Sequence, residues 1–266
     1  MLITAILTYL CCGVVAGVLA GLLGVGGGTV IVPMLAMVLP MQGVPAEYVQ
    51  QFALGTSLAS IMVTSISSTR AHWAKGAVHW DIVKAITPGI LVGTFGGGLV
   101  ATHLPPLVLK LVFVCFLFLV AMQMLSNYRP PAGREMPGTL GTAGVGCGIG
   151  VVSSFVGIGG GSLSVPFMVF CNVPMHHAVG TSAAIGFPIA VAGTLGFVVG
   201  GWGRPDLPAG AIGFVHLWAF LGIACASFFT APLGAKLSHS LPTDKLKRGF
   251  AVFLLFIAAK MLWSVL

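Results

Sequence analysis

Gly24-Val25-Gly26-Gly27-Gly28-Thr29-Val30-Ile31-Val32-Pro33 decides how this chain is read, because the chain writes it twice. It returns as Gly157-Ile158-Gly159-Gly160-Gly161-Ser162-Leu163-Ser164-Val165-Pro166, 133 residues later. A long apolar run leads into each copy and a short one leaves it. Four glycines in five positions, then a hydroxyl, then a proline, make poor material for a continuous helix. Inside a bilayer, broken backbone persists only where it is buried in protein or lines a wet cavity. The doubled stretch therefore predicts two helix breaks that face an interior site.

The surroundings say bilayer. Residues are 57% hydrophobic and 6% charged, and the mean hydropathy is +1.06, more apolar surface than a soluble core needs. The opening Met1-Leu2-Ile3-Thr4 has no basic segment and its apolar run continues without a cleavage signal, so the first helix is expected to stay. The net charge of +7 sits in short loops between apolar spans, where it acts as a topology signal; no nucleic-acid partner is expected. Six cysteines lie in apolar stretches without a C-x-x-C pair and are read as small hydrophobes.

Apolar runs fall at 3–23, 28–39, 49–69, 81–103 and 107–126, then at 138–158, 161–171, 176–200, 213–237 and 244–264. The runs at 28–39 and 161–171 are too short for a perpendicular span of about 20 residues. They read as half-helices or re-entrant arms, and the sequence does not choose between spanning and returning. The two sets of five correspond beyond the glycines. Ala53-Leu54-Gly55-Thr56-Ser57 matches Ala178-Val179-Gly180-Thr181-Ser182, and Gly76-Ala77-Val78-His79 matches Gly213-Phe214-Val215-His216. Leu104-Pro105, Lys110 and Met124-Leu125 match Leu241-Pro242, Lys247 and Met261-Leu262. The expected fold is an all-α polytopic membrane protein of two repeats, 1–126 and 138–266, joined by a polar loop at 127–137. Each repeat has about four transmembrane helices plus a broken half-helix.

Charge sets the relative direction of the repeats. The loop 70–84 holds Arg70, Lys75 and Lys84, while its counterpart near 200–212 holds Arg204. The turn 103–110 holds Lys110, while its counterpart at 236–248 holds Lys236, Lys245, Lys247 and Arg248. The asymmetry flips, and five membrane-entering segments per repeat also invert the second copy. With 70–84, 127–137 and 236–248 in the cytoplasm, nine basic residues lie inside and three outside, with both termini outside.

An inverted repeat with a matched break in each half is the sequence signature of a secondary transporter site near the membrane midplane. Helices starting after Gly28 and Gly161 would present unpaired amides and positive dipole ends, with Thr29 and Ser162 as N-cap hydroxyls. Two such ends converging make an uncharged cradle for an anion. Candidate ligands are thus Gly24, Gly26, Gly27, Gly28, Thr29 and Pro33, with Gly157, Gly159, Gly160, Gly161, Ser162 and Pro166. Thr56, Ser57, Thr181 and Ser182 would add hydroxyls, or simply bond back into their own helix. Isolated pairs such as Gly13/Gly17 and Gly93/Gly97 read as helix packing. All five acids, Glu47, Asp81, Glu135, Asp206 and Asp244, sit in or beside loops. That argues against a carboxylate proton relay and favours an anionic substrate. Arg70, His72 and Lys75 cluster at one edge, as topological anchors or as an anion-gathering vestibule. His79 and His216 are expected at opposite interfaces, and His176-His177 lacks ligand spacing. No catalytic motif, metal site or cofactor is expected.

The doubled G-x-G-G-G-x-x-x-V-P, the downstream G-T-S and the Gly76, Val78, Trp80 loop resemble the TauE/SafE sulfite exporter family, also called the 4-toluene sulfonate uptake permeases. The resemblance covers the whole chain. It implies a bacterial-type inner-membrane carrier of small sulfur-containing anions such as sulfite or sulfonates, with about eight helices. It maps family motif positions onto the glycines and prolines named above. Leu217 replaces the interfacial tryptophan that the first repeat has at Trp80. Two further readings stay open beside the alternating-access carrier. One is a passive anion channel built on the same half-helix ends. The other is a structural membrane protein, which leaves the repeated breaks without a purpose.

Overall fold

The computed structural model describes residues 2–24, 26–126, 133, 135–208, 210–237 and 243–263. Most of the connecting stretch 127–137, including Arg129 and Arg134, lies outside the described residues, as do Leu241 and Pro242 and the side chains of Asp244, Lys245 and Lys247.

Ten helices are described. The first five are α1 (Leu2–Leu23), α2 (Gly28–Val38), α3 (Val49–Trp73), α4 (Trp80–Ala101) and α5 (Pro106–Leu125). The second five are α6 (Thr139–Val156), α7 (Gly161–Phe170), α8 (Met175–Gly200), α9 (Leu217–Leu237) and α10 (Thr243–Trp263). Among the described residues, six helices are long and apolar enough to cross a membrane: α3, α4, α5, α6, α8 and α9. The chain is thus a polytopic all-α membrane protein. Two short strands, β1 (Ala211–Ile212) and β2 (Val215–His216), pair antiparallel and delay the start of α9 to Leu217. The apolar run read at 213–237 is therefore helical only in part. Gly213, at φ 54°, makes the turn between those strands.

Local chemistry explains the ends. α5 opens with Pro105 as cap and Pro106 as its first residue, where a missing N–H costs nothing. α1 and α6 both stop at a left-handed glycine, Gly24 at φ 67° and Gly157 at φ 68°. Each amide there bonds back four residues, to the Ala20 and Ser153 carbonyls.

Polarity runs inside out. Val92, Leu119, Phe229 and Phe256 are 72%, 70%, 71% and 69% exposed, while Thr56, Ser57, Ser60 and Ser182 are fully buried at 0%. A surface of that kind requires hydrocarbon as its solvent. α3 and α8 pack together at the centre. α1 lies along α9 and α6 along α4, and α5 packs on α10. Glycines set those approaches: Gly13 and Gly17 lie against α9 backbone, and Gly93 and Gly97 against α6. Small residues let membrane helices close to backbone contact.

The short helices do not cross. α2 has 11 residues and α7 has 10, about 15 Å of rise each. After α2 the chain returns Gln42 to the level of Tyr9, whose hydroxyl donates to the Gln42 side-chain oxygen at 2.5 Å. α1 and α2 thus form a hairpin that dips to the glycines and comes back.

Candidate functional site

The two glycine breaks meet. A Cβ built on Gly26 would sit 3.0 Å from the Gly159 Cα, and one on Gly28 would overlap the Gly157 carbonyl oxygen. α2 and α7 therefore begin side by side in the interior, in direct backbone contact.

Their start geometry matches closely. The N-caps are Gly27 (φ 77°, ψ −7°) and Gly160 (φ 74°, ψ −7°), in the left-handed region that costs an L side chain strain. Neither has a side-chain cap. This corrects the expectation for Thr29 and Ser162. Both lie one residue inside their helices, as second helical residues, and neither hydroxyl caps. The Gly27 carbonyl takes the amides of Val30 and Ile31, and Gly160 takes those of Leu163 and Ser164. The amides of Gly28, Thr29, Gly161 and Ser162 precede the first intrahelical acceptor, and the dipole is positive at both ends.

Pro33 and Pro166 sit inside α2 and α7 and do not end them. The break is the work of the glycines alone. Without an N–H, each proline leaves unclaimed the carbonyl four residues earlier, Thr29 and Ser162 respectively.

The threonine–serine steps bond across the fold, and Ser182 Oγ also bonds back to the Val179 carbonyl of its own helix at 3.2 Å. Ser57 Oγ donates to the Gly157 carbonyl at 2.7 Å, and Ser182 Oγ to the Gly24 carbonyl at 3.0 Å. The His216 amide donates to Thr56 Oγ1 and the His79 amide to Thr181 Oγ1, both at 2.9 Å. All four hydroxyls tie one set of five helices to the other, reciprocally. Their primary work is to hold the breaks in place.

Beside the breaks lies a cavity of about 10 Å³, room for a single water. Gly24, Gly26, Gly159, Ser182 and Gly186 wall one side, and Thr64, Ser65 and Ser68 of α3 the other. The Ser68 hydroxyl has no partner among the described residues, and the same holds for buried Ser153, Ser162 and Ser164 around the start of α7. Thr64, Ser65, Ser68, Ser153, Ser164 and Gly186 were not among the sequence candidates. The α3 run Thr64-Ser65-Ile66-Ser67-Ser68-Thr69 carried the signal, since α8 has no equal of it.

The charged groups stay outside. Glu47, Asp81, Glu135 and Asp206 are exposed. His72 departs from its expected place: it is fully buried, its Nε2 3.0 Å from the Gly21 carbonyl, and takes no part in a surface vestibule. His216 is also buried, its ring centroid 6.3 Å from that of Tyr9, and burial pushes it below the ordinary histidine range. His79 is exposed, and its ring lies tilted against that of His177, centroids 4.7 Å apart. Trp218, 63% exposed, stands one residue beyond the Leu217 position as a surface tryptophan of the second set. All six cysteines are free; Cys12 and Cys171 are buried as expected, whereas Cys11, Cys115 and Cys225 face outward.

The sequence pattern described as Sulfite exporter TauE/SafE matches residues 9–261. The chain belongs to the TauE/SafE family. A probable membrane transporter protein of Haemophilus influenzae is 39% identical to this TauE/SafE chain, covering 97% of it and 98% of the relative. The probable membrane transporter proteins MJ0441 of Methanocaldococcus jannaschii (26% identical, 88% and 87% covered) and YdhB of Bacillus subtilis (27%, 90% and 91%) are similar over nearly full length too. No solved structure matches. This TauE/SafE protein is thus a multi-pass membrane transporter.

Proposed function

We infer that the chain is a secondary transporter of small sulfur-containing anions, sulfite or sulfonates, in a cell inner membrane. The carrying observation is the meeting of two helix N-termini, α2 and α7, at Gly26 and Gly159, with buried hydroxyls around them and the described carboxylates exposed. Amides of Gly28, Thr29, Gly161 and Ser162 stabilise negative charge without a competing cation. The anion sits between the breaks, close to Gly26, Gly159 and Ser68.

Alternating access follows from size. A cavity for one water does not admit a sulfur oxyanion, so binding requires the two sets of helices to part. The reciprocal bonds of Ser57 and Ser182 support two inverted repeats that rock about the α3–α8 contact. The face bearing Arg70, Lys75 and Lys84 is cytoplasmic. The family description and the transporter names of the relatives support transport as such; a space with room for only one water favours a carrier over an open pore.

The test is flux of radiolabelled sulfite and of a small sulfonate in proteoliposomes. A carrier saturates and is accelerated by unlabelled substrate on the far side. Gly186→Ala, whose methyl meets Gly159 and Ser65 at ordinary contact and takes up the cavity, slows flux while the melting temperature holds. Unsaturable flux without trans-acceleration would establish a channel. Flux of chloride and acetate equal to that of sulfite would remove the proposed substrate class.

A further inference from the structure

A second, much larger space lies on the basic face, walled by α3, α4 and α8. It is a cleft of about 690 Å³, in the range of roughly 300–1,000 Å³ that holds a drug-sized ligand. Ile66, Val83, Leu91, Phe187 and Val191 make it apolar along its length. Arg70 is the one charged side chain in its lining, and no carboxylate lines it among the described residues. Trp73 and Trp80 also line it, edge to face at 5.9 Å and 60% and 40% exposed. Such amphipathic rings settle at the headgroup level of a membrane. The cleft shares no lining residue with the small cavity between the breaks.

We propose that this cleft binds one anionic phospholipid of the cytoplasmic leaflet, its phosphate on Arg70 and an acyl chain along Ile66, Leu91 and Phe187. An occupant must be apolar over most of its length and negative at one end, at the depth of the tryptophans. A soluble oxyanion satisfies only the second condition. The face already carries Lys75 and Lys84 near Arg70 in sequence, which raises the local concentration of anionic lipid. The matched positions of the second set argue for a purpose. Leu195 stands for Arg70, and Phe220 and Phe228 for Val83 and Leu91, so the charge is lost and two larger side chains stand there. The assignment rests on the cleft and the sidedness of the chain, and it stands whatever anion is carried.

The experiment uses the full chain with Trp202, Trp218 and Trp263 changed to Phe, leaving Trp73 and Trp80 as reporters. It is reconstituted in phosphatidylcholine vesicles containing brominated-chain phosphatidylglycerol or brominated-chain phosphatidylcholine. Fluorescence quenching is expected to show about fivefold preference for phosphatidylglycerol, the effect of one cation near the surface. Arg70→Gln brings that preference to parity and Arg70→Lys retains most of it. Leu91→Phe, which narrows the cleft, weakens quenching by both lipids. Equal quenching in the parent, or a preference that survives Arg70→Gln, overturns the proposal. So does relief of quenching by millimolar sulfite, which would make the cleft a passage for the transported anion.

Discussion

α3 and α8 occupy matched places and touch at the centre, yet beyond the threonine–serine step they diverge. α3 continues with Ser60, Ile61, Thr64, Ser65 and Ser68; α8 has Ile185, Gly186, Ile189, Ala190 and Gly193 at the same offsets. One helix offers hydroxyls, the other hydrocarbon. Where α3 fills space with Ile61, packed near Gly26, α8 leaves it open at Gly186, and there the cavity lies. The loops differ in the same sense. Phe214, fully buried, lies edge-on to Phe52 at 5.6 Å, with the Arg204 guanidinium 5.3 Å from its ring; the matched residue opposite is Ala77. A shared frame thus carries a hydroxyl-lined, loosely plugged half toward the basic face and an aromatic, packed half toward the other. The lesson is that matched sequence sets two like helices side by side, and the differences between them decide where space is left.

The comparison breaks most severely at the contact both copies share. Gly28→Ala puts a methyl into the Gly157 carbonyl, whereas Gly186→Ala meets Gly159 and Ser65 at 3.4 and 3.5 Å, ordinary contact. Gly28→Ala should abolish flux and lower yield and melting temperature. Gly186→Ala should keep the melting temperature and slow flux. Equal melting temperatures would show that the breaks do not touch. Next in size is the exchange of character: Ser65→Ala with Ser68→Gly gives α3 the residues of α8. Sulfite flux is expected to fall about tenfold or more with folding unchanged, the loss of two polar contacts worth about 1 kcal/mol each. Unchanged flux removes Ser65 and Ser68 from the path.

The reciprocal bonds sharpen the likeness. Ser57→Ala and Ser182→Ala each leave a buried carbonyl unpaired, and each should cost about 1–3 kcal/mol in unfolding experiments. Markedly unequal costs would show that the two breaks are not held alike. The smallest effect concerns His216. Its proton affinity is lowered by burial, so the unfolded chain binds a proton near pH 6.5 while the folded chain stays neutral. Its share of stability is present above 6.5 and lost as pH falls from there toward the folded value. The melting temperature should decline across that window, less so in His216→Gln. A parallel decline in both proteins would remove the assignment.

Much of this was readable before any coordinates. The doubled glycines announced two breaks, because residues without Cβ hold a helix poorly and enter the left-handed region without strain. The four matched hydroxyls were visible as well, but their donors and acceptors lie 100 to 160 residues away, and spacing along the chain says nothing of such distances. Thr29 and Ser162 looked like caps because capping is usually a side-chain task; here left-handed glycines turn the chain and the hydroxyls fall one residue too late. His72 looked like part of a basic edge until its helix was placed against Gly21.

By composition and repetition alone, the sequence determined that this is a helical membrane protein with two interrupted arms and its acids in or beside loops. Those are local properties, set by the apolar length and backbone freedom of each segment. The tertiary structure decided that the two arms meet, that the hydroxyls bind across the sets, and that a cavity lies beside the breaks against Gly186. Such outcomes depend on which helix lies against which, a choice made by small residues packing at long range.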